Sequence, residues 1–122
     1  MKPGRMFRAA AAAMCGLFLL SVAVQWNDPD PWLWMPIYGL AALLAGQGAA
    51  GRLPFAANAA ALVLYLVLFA IWAPSLVGAR HQAFESWHMQ APEDEAPREA
   101  GGLALCAVWS AIQTLAARRR TI

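Results

Sequence analysis

The sequence predicts an all-α membrane protein: a bundle of four transmembrane helices with short loops and one outer interfacial segment, forming a single domain over residues 1–122. Three observations predict it. The chain is 61% hydrophobic and 13% charged, where soluble domains are about half apolar and a quarter charged. Four apolar runs of near-bilayer length alternate with breaks rich in proline, glycine or charge. Lys and Arg residues then gather on one side of the resulting topology and the acids on the other.

The first run, residues 7–25, has nineteen residues, which at ~1.5 Å each cover roughly 28 Å of the ~30 Å hydrocarbon core. Lys2, Arg5 and Arg8, with the small residues Ser21-Val22-Ala23 further on, also resemble a cleaved leader. Because further spans follow, a retained first helix is the simpler reading. Asn27-Asp28-Pro29-Asp30-Pro31 ends this helix, since each proline pushes its predecessor out of helical geometry. Asp30 can cap the next helix with Pro31 at its first position, where a missing N–H costs nothing.

The second span covers residues 32–50, and Pro36 one turn in predicts a kink or a late helical start. Gly51-Arg52-Leu53-Pro54 reads as a tight turn. The third span, residues 54–73, is the most uniformly apolar; between Leu62 and Ile71 its one polar side-chain group is the Tyr65 hydroxyl. Residues 75–100 form the sizeable extramembrane segment, with two His, two Arg, five acids and prolines at 92 and 97. Its first half, Leu76 to Met89, places Val77, Phe84 and Trp87 on one side of an interfacial helix, and Pro92 to Glu99 reads as an acidic loop. The fourth span, residues 101–117, is stopped by Arg118-Arg119-Arg120.

Charge orients the spans. Lys2, Arg5, Arg8, Arg52 and Arg118 to Arg120 make seven of the nine basic residues, and they share one side. By the Lys/Arg bias of short loops, that side, with both termini, is cytoplasmic, and loops 26–31 and 75–100 lie opposite. Trp26, Trp32, Trp34, Trp72 and Trp87 then fall near the outer interface as an aromatic belt. Ala- and Arg-rich composition points to a bacterial inner membrane, which makes those loops periplasmic.

Small residues collect in the cytoplasmic halves: Ala9 to Ala13, then Ala45, Gly46, Gly48, Ala49 and Ala50, then Ala56, Ala57 and Ala59 to Ala61, with Ala116 and Ala117. Such residues let backbones approach closely in lipid, so the bundle is expected to be narrow at that end and splayed at the other. Gln47, Asn58 and Gln113 fall at similar depth in three helices, positions suited to interhelical hydrogen bonds that set register.

Chemistry-bearing patterns are sparse. No Asp, Glu, Lys, Arg or His lies within the core of a span, which disfavours ion-coupled transport. His81, Glu85 and His88, at offsets of four and seven, share one helical stripe on which imidazole and carboxylate can converge on a metal; a lone polar stripe on an interfacial helix is the commoner explanation. Gly46-Gln47-Gly48-Ala49-Ala50-Gly51 has the letters of a phosphate-binding loop but ends a membrane helix instead of opening one after a strand. Cys15 and Cys106 sit inside apolar runs as small hydrophobes. There is no nucleophile triad and no basic, aromatic face for nucleic acid. No catalytic residue and no cofactor are expected, a metal ion at the His81 stripe being the one candidate.

Two stretches resemble transmembrane family 220. The first is Val24-Gln25-Trp26-Asn27-Asp28-Pro29-Asp30 followed by Trp34 and Tyr38; the second is Glu95 through Arg98-Glu99, then Gly102-Leu103 and Trp109. The resemblance implies a four-helix membrane fold and no particular activity. Its landmarks, Asn27, Asp28, Asp30, Arg98 and Glu99, all fall at the outer face, where Arg98 can pair with Asp28 or Asp30. The functional expectation is a non-enzymatic accessory or scaffold subunit whose partners are the lipid bilayer and other membrane-protein subunits or copies of itself. Alternatives are a metal- or ligand-binding protein at the outer face and a carrier for a neutral or lipid-like solute.

Overall fold

The computed structural model describes residues 3–26, 31–76 and 95–121, whose regular structure is helical, with no strand among them. Helix α1 spans Arg5–Gln25, α2 Pro31–Ala49 and α3 Phe55–Trp72, with a 3-10 turn at Ala73–Leu76, and α4 spans Glu95–Thr121. The segments expected to form the Asn27–Asp30 loop and the interfacial helix beyond Leu76 lie outside the described residues.

Proline and glycine set most of the boundaries. Pro31 opens α2, and Pro54, extended at φ −67° and ψ 117°, precedes α3. Helix α2 ends in a Schellman motif: the Arg52 N–H donates to the Gln47 carbonyl at 2.7 Å and the Gly51 N–H to the Gly48 carbonyl at 3.0 Å. The motif requires a left-handed residue, and Gly51 supplies it at φ 86° without the Cβ penalty. Pro36 does not delay the helix, which begins at Pro31 and runs through it; it removes the one backbone donor that would reach Trp32.

The start of α4 corrects the sequence expectation. Glu95 to Glu99, read as acidic loop, already belongs to the helix. Pro97 falls in the first turn, where its missing N–H has no intrahelical partner to lose. Acidic residues near a helix N-terminus also meet the positive end of its dipole.

Helices α1, α3 and α4 contain stretches long and apolar enough to cross a membrane, over Arg5–Val24, Phe55–Trp72 and Glu99–Arg119, with mean hydropathy 1.9, 2.2 and 1.5. Helix α2 is not among them, because two Trp, Tyr38, two Pro and Gln47 lower its mean hydropathy. It is instead the most enclosed of the first three helices. Eight of its residues are buried, against two in α1 and three in α3.

One hydrophobic cluster draws on every long helix: Ala11 and Phe18 from α1, Trp34, Tyr38 and Leu44 from α2, Tyr65 from α3, and Leu103 and Cys106 from α4. Helix α1 packs chiefly on α2, and α3 on α4. Contacts fix the directions. Tyr38 meets Gly102 and Gly48 meets Gln113, so α2 and α4 run parallel. Arg8 reaches Ala49 and Tyr65 reaches Ile37, so α1 and α3 run opposite to α2. Outward faces remain strongly apolar, including Leu19, Leu43, Val63, Val67, Ile71, Val108 and Leu115, each more than half exposed.

Candidate functional site

Gln113 is fully buried, and every heavy polar atom of its side chain is used. Its Nε2 donates to the Leu44 carbonyl at 2.9 Å and to Asn58 Oδ1 at 2.8 Å, while its Oε1 accepts from Trp109 Nε1 at 2.9 Å. Asn58, 1% exposed, donates through Nδ2 to the Pro54 carbonyl at 2.8 Å, one turn back at the start of α3. Three helices are thereby tied at one depth by a neutral network. It holds no ionisable group, so it does not do acid–base work; it sets register. Two of these bonds join different helices, and interhelical side-chain hydrogen bonds in membranes average about 0.6 kcal/mol, so the pair contributes roughly 1.2 kcal/mol.

Glycine makes this network possible. A Cβ built on Gly48 would collide with the Gln113 side-chain amide. Gly48 also lies one turn after Leu44, on the same face, where the absence of a side chain leaves the Leu44 carbonyl open to Gln113. Tyr65 repeats the device with Ala41, one turn after Ile37: its buried hydroxyl donates to the Ile37 carbonyl at 2.6 Å. Towards the other end, a Cβ at Gly102 would collide with the Tyr38 hydroxyl. At both ends of α2, therefore, a long side chain fills the space that a glycine of the facing helix leaves open.

Aromatic rings pack above and below the network. Phe7 stacks on Trp109 with centroids 5.8 Å apart and planes at 20°. Trp34 meets Trp72 edge-on at 5.2 Å and 79°, a geometry that the ring quadrupole favours. Trp26 and Trp32 are 68% and 83% exposed, whereas Trp34 is 1% exposed. Trp34 thus turns into the core where a belt residue faces headgroups, because it shares the α2 face of Tyr38 and Ile37; Trp87 lies outside the described residues.

Of the three amides expected to meet, Asn58 and Gln113 are bonded to each other, and Gln47 does not join them. Its Oε1 is enclosed without a hydrogen-bond partner among the described residues, as is the Trp34 indole N–H. Arg8 was read only as an orienting charge, yet its Nε donates to the Ala49 carbonyl at 3.0 Å. That contact caps the C-terminal end of α2, where a cation also meets the negative end of the dipole.

Asn27, Asp28, Asp30, His81, Glu85 and His88, and the side chain of Arg98, lie outside the described residues. Glu99 is half-buried near the start of α4. Among the described residues no group of three His, Cys, Asp or Glu side chains gathers to hold a metal ion.

The inward-facing residues of α2 share one sequence signature. Trp34, Ile37, Tyr38, Ala41, Leu44, Ala45 and Gly48 recur at three- and four-residue spacing along α2, which marks its inward face. Gly48 and Gly102 carry no local signal of their own, since each matters only for the side chain that another helix brings against it.

No solved structure matches the chain. The family model described as transmembrane family 220, helix, matches residues 17–115, a stretch that runs from α1 into α4 and includes Trp34, Asn58, Tyr65, Trp109 and Gln113. With 99 of 122 residues matched (115 − 17 + 1), the chain belongs to transmembrane family 220 and is an integral membrane protein.

Proposed function

We propose that this protein is a four-span, non-enzymatic scaffold or accessory subunit, with both termini in the cytoplasm and its outer loops in the periplasm, that presents its lipid-facing helix surfaces to a larger membrane complex or to its own copies. The observation that carries this reading is the filled interior. Phe18, Trp34, Tyr65, Leu103, Asn58 and Gln113 are each less than 2% exposed, and the Gln113 network locks three helices around them. Such an interior maintains a shape and, among the described residues, is closed by packed side chains. What is left for recognition is the outside, which is rich in aliphatic side chains.

The crossing of α2 is part of the proposal. Its aromatic and polar residues lower its mean hydropathy, but Trp34, Tyr38 and Gly48 are buried against protein, so lipid is not what they must satisfy. The test is co-purification of the full chain from native membranes in mild detergent, preceded by crosslinking. The reading expects a reproducible partner or a defined homo-oligomer. A lone monomer in crosslinked native membranes would overturn it.

A further inference from the structure

Four arginines converge at one end of the helices, an end at which no Asp or Glu lies among the described residues. Arg8 reaches the last residue of α2. Arg5 lies three residues nearer the N-terminus, about 5 Å further along the same helix. Arg52 follows the Schellman turn and is exposed. Gln113 abuts Gly48, so the parallel α4 carries Arg119, six residues later and exposed, about 9 Å beyond that level. The sequence places its seven acids at 28, 30, 85, 93, 94, 95 and 99. Of these, the described Glu95 and Glu99 open α4 at the opposite end.

Arg8 is the most constrained of the set. It is half-buried, and its Nε is held by the Ala49 carbonyl at 3.0 Å. Its two terminal amino groups hold no hydrogen bond to a described residue, and the Nε contact orients the fork. A planar guanidinium fork suits the paired oxygens of a phosphodiester.

We propose that this end, through Arg5, Arg8, Arg52 and Arg119, binds the headgroups of anionic phospholipids. The inference rests on the membrane-spanning placement above, which sets these residues at headgroup level. It goes beyond orientation by the Lys/Arg bias, because it requires preference for one lipid class. Each basic residue near an anionic surface contributes enough to change affinity by about fivefold.

The test uses the full-length protein, delipidated in detergent, with thermal unfolding followed during titration with phosphatidylglycerol, phosphatidylcholine or inorganic phosphate. The expected result is stabilisation by phosphatidylglycerol at concentrations where phosphatidylcholine and phosphate have little effect. Arg52→Gln with Arg119→Gln, both exposed and remote from the core, should weaken the apparent affinity by about twenty-fivefold, and added salt should do the same. Arg8→Gln should weaken it further, whatever it costs in helix capping. Equal stabilisation by phosphatidylcholine, reproduction of the effect by phosphate alone, or unchanged affinity in the double variant would overturn the proposal. Failure of both lipids to act would overturn it together with the placement at headgroup level. The scaffold reading stands on co-purification, which this titration does not touch.

Discussion

Replacing Gly48 with alanine sets two effects of known size against each other. Alanine favours a helix interior over glycine by about 1 kcal/mol. The new Cβ, however, occupies the position of the Gln113 amide, which must rotate away and lose its bonds to Leu44, Asn58 and Trp109. The two that join helices are worth roughly 1.2 kcal/mol in a membrane protein and the i, i+4 bond from Trp109 within α4 about 0.5 kcal/mol, together a little under 2 kcal/mol. The Ala11 Cβ, 3.4 Å from the new atom, is an ordinary neighbour and adds little. Gly48→Ala is therefore expected to destabilise by about 1 kcal/mol. In a Gln113→Ala background the collision is gone, and the same substitution should stabilise by about 1 kcal/mol, giving a coupling near 2 kcal/mol. Reversible unfolding in mixed detergent micelles, measured for all four members of the cycle, reads both numbers. An equal effect of Gly48→Ala in the two backgrounds would refute the claim that this glycine exists to admit Gln113.

Two further substitutions probe single groups in the same assay. Tyr65→Phe removes the hydroxyl bonded to the Ile37 carbonyl and keeps the ring, so it should cost about 0.6 kcal/mol and no more than about 1.7; a larger loss would mean that the hydroxyl does more than join two helices. Trp34→Phe deletes an enclosed indole N–H that has no partner among the described residues, relieving a penalty of about 1–3 kcal/mol while giving up ring contact. Stability should stay within about 1 kcal/mol of the parent, and a loss well beyond that would reveal a partner for the N–H.

Much of the helix layout was legible because its punctuation is local. Pro31 and Pro54 mark helix starts, and Gly51 marks a turn, through constraints carried by the residues themselves. The depth of Asn58 and Gln113 was legible too, since counting from a span boundary places a polar residue along the membrane normal. What counting does not supply is rotation about the helix axis. Gln47 and Gly48 are neighbours in depth, yet about 100° apart around α2, and it is Gly48 that meets Gln113. Trp34 was placed correctly near one end of α2, while its inward direction depends on the stripe it shares with Ile37 and Tyr38. The early start of α4 was hidden by Pro97, whose helix-breaking character vanishes in a first turn.

A single topology experiment tests the central claim most directly. If α2 crosses the membrane with α1, α3 and α4, the chain has four spans and its two ends share one face. If α2 does not cross, three spans put the ends on opposite faces. Reporters of cytoplasmic or periplasmic location fused separately to the N-terminus, the C-terminus and residue 90 distinguish the two arrangements. The account predicts cytoplasmic signal at both ends and periplasmic signal at residue 90. Signals of opposite sign at the two ends would contradict it.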